Sequence, residues 1–131
     1  MIFFLRFIGV VFAGYGIYLC FNPNYLLELL ELGHSIPGKV EVRAMYGGLQ
    51  LGVGLLLLWG AQRPPIQQQM ACAVMIACFA GLAGARAVGL LLDGQDTYNL
   101  AAFIFESASL VVSVYLYAKL SRELAGSEPG S

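Results

Sequence analysis

Four apolar runs occupy most of the chain, at about residues 2–21, 42–61, 67–92 and 98–119. A helix rises 1.5 Å per residue, so ~20 residues cross a hydrocarbon core of ~30 Å. Each run therefore predicts a transmembrane helix. Every run also carries a stripe of small or polar residues at helical spacing. The first gives Arg6, Gly9, Ala13, Gly16 and Cys20; the second gives Arg43, Gly47, Gln50 and Gly54. The third gives Ala73, Ala77, Gly81, Ala85 and Gly89, and the fourth gives Asn99, Ala102, Glu106, Ser109 and Ser113. Helices in lipid associate through close packing of small residues and through polar contacts, so these stripes are the expected mutual faces. The pattern predicts an all-α, up-down-up-down bundle of four helices.

The connections carry their own signals. Asn22-Pro23 places a cap residue before a proline suited to a first helical turn. Residues 23–33 are too short to span the membrane. They separate Leu26, Leu29 and Leu30 from Glu28 and Glu31, so an amphipathic helix lying in the interface is expected, ended by Gly33. His34 reads as a solvated interface histidine. Residues 35–38 read as a turn, and Asp96 or Thr97 is placed to cap the fourth span. One transmembrane domain over residues 1–123 and a disordered tail over 124–131 are expected, with the first run retained as a helix. Arg6, Arg63, Lys119 and Arg122 fall on one side of such a bundle, which predicts cytoplasmic termini in a bacterial inner membrane.

Charges inside the runs alter the picture. Arg43, Arg86 and Glu106 lie within apolar stretches, with Glu41 at an edge. A charge at mid-bilayer costs ~3 kcal/mol or more, so each needs a partner or a task. Arg86 precedes the turn at Asp93 by ~10 Å of helix, and Glu106 follows the same turn by ~12 Å. They should meet at one depth. Arg43 is expected to extend toward Glu106, with Gln50 below it on the same face.

Three readings of this centre stand side by side. The charges of Glu41, Arg43, Arg86 and Glu106 sum to zero, so they suit a neutral network that fixes helix register. They equally suit a polar pocket in the outer half of the bundle, whose arginines meet an anionic or carbonyl head group. A proton path through Glu106 is the third. Arg43, Tyr46, Gln50, Arg86, Glu106, Glu41 and Asn99 are the candidate ligand-binding residues.

Composition narrows the classes. The chain has 131 residues, 59% hydrophobic and 11% charged, against ~25% charged in a soluble domain. A net charge of −1 and the lack of a basic stripe exclude a nucleic-acid partner. The three cysteines form no metal-ligand spacing, and Cys72 and Cys78 point to different faces of one helix. No nucleophile elbow, dinucleotide fingerprint or phosphate loop occurs. No cofactor and no metal are expected, and an enzyme is not the expected class.

The segment Glu41-Val-Arg43-Ala-Met-Tyr46-Gly47-Gly48-Leu-Gln50-Leu-Gly52, followed by Arg86-Ala-Val-Gly89 and Glu106, resembles a family over nearly the whole chain. The family is the uncharacterised bacterial four-helix membrane proteins classed as domain of unknown function 4345, loosely DoxX-like. The resemblance implies the four-helix fold and draws attention to Arg43, Tyr46, Gly47, Arg86 and Glu106. Some DoxX-like relatives are tied to quinone-linked redox. The expected function is binding of a lipid-like or quinone-like small molecule among membrane lipids. The alternatives are a structural or accessory subunit, as a homo-oligomer or with a membrane-protein partner, and a small oligomeric transporter.

Overall fold

The computed structural model describes residues 2–126. Among these residues it forms five helices and no strand: α1 (Ile2–Phe21), α2 (Pro23–Leu29), α3 (Ile36–Gly60), α4 (Pro65–Leu92) and α5 (Thr97–Gly126). Four of them, α1, α3, α4 and α5, are long and apolar enough to cross a membrane. The chain is a multi-pass membrane protein. It divides into two compact units, one ending at Gln62 and the other beginning at Arg63.

In the first unit, α1 and α3 run antiparallel along their small-residue stripes. Gly9, Ala13 and Gly16 are buried on α1, and Gly47 and Gly54 on α3, as expected, whereas Arg6 and Arg43 of the same stripes are exposed. The approach is close enough to forbid side chains. A Cβ on Gly16 would stand 2.5 Å from the backbone nitrogen of Leu51, and one on Gly54 would stand 2.8 Å from the carbonyl oxygen of Gly9. Only backbone is in the way, and backbone cannot swing aside. Lipid offers no hydrophobic drive to hold two helices together, so this contact area between main chains is the binding force.

Short α2 closes the end of this hairpin. Pro23 sits in its first turn, while the Asn22 amide turns back to donate to the Tyr18 carbonyl at 3.3 Å. Leu26 and Leu27 are buried against Leu19 and Val42, with Leu30 partly covered. Leu29, expected on the apolar face, is exposed. The helix also stops earlier than Gly33. The Leu32 N–H donates to the Leu27 carbonyl at 2.7 Å and the Glu31 N–H to Glu28 at 3.1 Å. This pair of bonds needs a left-handed residue between helix and exit, and Glu31 takes it with φ of 53°.

The expected turn at residues 35–38 is instead the start of α3. Ser35 accepts the Gly38 N–H at 3.1 Å, and Pro37 lies in the first turn. A hydroxyl cap and an early proline are helix-start chemistry, so α3 begins well before the apolar run does. Within α3, Val42–Gly48 winds as a π-helix.

In the second unit, α4 and α5 also run antiparallel. The fourth-span stripe is buried as expected: Glu106, Ser109 and Ser113, continued by Leu116 and Leu120. The third-span stripe is not the contact face. Ala73, Ala77, Gly81 and Ala85 are exposed, and α4 instead buries Gln68, Cys72, Met75, Phe79 and Ala83. Met75 and Phe79 are fully buried there, and Phe79 meets Phe105 of α5 edge-on at 6.1 Å. Near the far end, Gln69 donates to the Ser121 hydroxyl. Helix α5 continues to Gly126, so residues 124–126 of the expected tail are helical, with Lys119 and Glu123 paired at 3.9 Å. Residues 127–131 of that tail lie outside the described residues.

Two outcomes follow from these contacts. Gly54→Val should destabilise the fold by about 2 kcal/mol through overpacking, whereas Gly52→Ala, with open space around it, should be neutral or slightly stabilising. Unfolding in mild detergent separates them; equal effects would contradict backbone contact. Glu31→Gly should stabilise by about 1 kcal/mol by removing the left-handed penalty, read in the same assay.

Candidate functional site

The turn between α4 and α5 builds the site. Helix α4 ends at Leu92 with Asp93 as its cap, and Gly94 turns the chain at φ of 110°, a conformation that favours glycine. Asp96 then starts α5. Its carboxylate accepts the Asn99 backbone N–H at 2.9 Å, which satisfies one of the donors a helix start leaves open. With α5 launched this way, Asn99 and Glu106 lie two turns apart on the face toward Arg86.

Arg86 joins them. Its Nε donates to Glu106 Oε2 at 2.9 Å and its Nη2 to Oε1 at 2.8 Å, a two-pronged pair. Its Nη1 donates to the Asn99 side-chain oxygen, and the Asn99 amide nitrogen donates in turn to Asp96. One chain of hydrogen bonds thus runs from a buried carboxylate to the helix cap. The Glu106 side chain is 8% exposed and that of Arg86 22%. The expected meeting of these charges at one depth is what the structure has. Removing two ions from water costs several kcal/mol each, and the pair offsets this only with good geometry and further hydrogen bonds. The fork of the guanidinium and the Asn99 oxygen supply both.

Asp96 titrates lower than an ordinary carboxylate. The Asn99 side-chain and backbone donors hold it there, with the Arg86 charge assisting. A carboxyl whose pKa is lowered on folding contributes stability above its unfolded value near 4 and loses it only as pH falls through the lower folded value. The cap is therefore intact at neutral pH.

Beside the network lies a cavity of about 530 Å³, open at one side. Leu82, Ala85 and Leu90 give it apolar walls, and Arg86, Asp96 and Asn99 give it a polar end. Of the sequence-derived candidates, Arg86, Asn99 and Glu106 form one network. Glu41, Arg43, Tyr46 and Gln50 belong to the first unit. There the Arg43 Nε donates to the Cys20 carbonyl at 3.0 Å, Tyr46 and Glu41 are exposed, and Gln50 is half-buried. Asp96 was legible only as a cap; its link to Asn99 follows from their three-residue spacing at a helix start. The π-helical turn carrying Arg43, Tyr46 and Gly47 left no mark in the hydrophobic pattern.

The family described as a domain of unknown function (DUF4345) matches residues 1–117, and the chain belongs to it. No curated protein and no solved structure matches the chain.

The ion pair makes a measurable claim. Arg86→Leu should cost on the order of 3 kcal/mol, because Glu106 is left charged and unpartnered, while Arg86→Leu with Glu106→Leu should recover most of the loss. A double-mutant cycle on unfolding in detergent gives the coupling; additive losses would mean that the two side chains do not act as a pair.

Proposed function

We propose that this member of the DUF4345 family holds a small amphiphilic molecule, lipid-like or quinone-like, in the cavity beside Arg86. The carrying observation is a preorganised guanidinium in a space with an aliphatic wall on one side and polar residues on the other. A volume of about 530 Å³ lies within the usual range for small-ligand pockets. The charge of Arg86 is already balanced by Glu106, and Asp93 and Asp96 border the same space. That favours a neutral head with an acceptor oxygen, such as a carbonyl, over an anion. The aliphatic wall at Leu82, Ala85 and Leu90 suits the tail. The setting we propose is one transmembrane domain with four helices packed up-down-up-down, in a bacterial inner membrane with both termini cytoplasmic. The distribution of lysine and arginine supports this orientation.

A second reading has its own support. The small-residue face of α4, at Ala73, Ala77, Gly81 and Ala85, is exposed and suits close packing with another helix. An accessory subunit that docks through this face is the alternative role.

Native mass spectrometry of the detergent-purified protein, alone and with added decylubiquinone or dioctanoylglycerol, distinguishes the two. The binding role predicts a retained adduct that Leu82→Trp, which adds bulk to the cavity's aliphatic wall, weakens at least tenfold. An absence of adducts at every concentration, or adducts indifferent to Leu82→Trp, would overturn it.

A further inference from the structure

A second polar space occurs in the first unit, where α1 stops at Phe21 and α3 has just begun. It is a groove of about 360 Å³. Two cations of α3, Lys39 and Arg43, line it one helical turn apart. Tyr18, Tyr25 and Asn22 stand across from them on the end of α1 and the start of α2. The two tyrosine rings pack edge-on at 5.4 Å.

Arg43 is anchored through one nitrogen of its guanidinium. Its Nε donates to the Cys20 carbonyl at 3.0 Å, in the last turn of α1, where carbonyls lack a helical partner. That bond fixes the plane of the guanidinium and leaves its two terminal nitrogens for another acceptor. Lys39 makes no salt bridge among the described residues. The groove holds one carboxylate, Glu28, which stands 4.0 Å from His34. Two cations against one anion leave the groove positive.

A guanidinium held at Nε, an ammonium and phenol donors together form the donor set of a phosphate site. Aromatic residues at the end of membrane-spanning helices mark the level of lipid head groups, where a guanidinium can meet a head-group phosphate. We propose that this groove binds a phosphate group, presented by the head of an anionic lipid. The assignment is independent of the cavity beside Arg86.

The test uses the full chain in a neutral detergent. Native mass spectrometry compares dilauroylphosphatidylglycerol with dilauroylphosphatidylcholine, with inorganic phosphate as competitor. The expected result is preferential retention of the acidic lipid. Lys39→Gln, at a half-buried position with no bond to lose, should weaken it roughly fivefold, the effect of one interfacial cation. Arg43→Lys, which keeps a positive charge but loses the fork, should weaken it further. Retention that resists millimolar phosphate assigns the site to lipid; displacement by phosphate keeps the chemistry and assigns it to the free anion. Equal retention of the two lipids, or acidic-lipid binding unchanged in Lys39→Gln, would overturn the proposal. Arg86→Leu should leave this preference intact.

Discussion

The pairing of Arg86 with Glu106 is the constraint around which the second unit is arranged. Neither charge is tolerable alone in hydrocarbon, so each dictates where the other must be. That requirement fixes the register of α5 against α4, because a slip of one turn, ~5.4 Å, would part the guanidinium from the carboxylate. It also reaches the loop. Asn99 completes the coordination of Arg86 and is itself held by Asp96, so the helix cap and the buried pair stabilise one another. An electrostatic demand in the apolar region thereby orders the turn at its edge.

The first unit meets the same solvent with different means. Among the described residues it has no buried ion pair between its long helices, and relies on main chains brought together where Gly16 and Gly54 carry no side chain. The second unit instead sets small residues of α5 against large residues of α4. Both solutions follow from one fact: water expels apolar surface, but lipid does not, so association must come from contact area and polar bonds. Arg43 of α3 is exposed at the hairpin's end. There it satisfies a carbonyl that the helix geometry leaves open.

In each unit a polar space lies near a helix end, and the two differ in charge. Beside Arg86 the cation is balanced and acids border the opening, which suits a neutral polar head. Beside Lys39 and Arg43 the balance is positive, which suits an anion. Arginine is present in both, so its presence alone does not define the ligand. What matters is how many of its donors are already taken, and by what.

The amino-acid sequence by itself determined the number and the places of the spans, because apolar length is a local property measured against a fixed bilayer thickness. It also determined the partnership of Arg86 and Glu106. Both lie a known number of residues from one turn, and helical rise converts that count into depth. The contact stripes of α1, α3 and α5 were legible for the same reason. Tertiary structure alone decided the face of α4, where Met75 and Phe79 are buried in place of the alanine and glycine stripe and Phe79 packs on Phe105. It alone decided that Glu31 takes the left-handed position and that Arg43 bonds to Cys20, since both depend on where the chain must go next. Periodicity fixes which residues share a face, but the shape of the opposing surface selects the face that is buried.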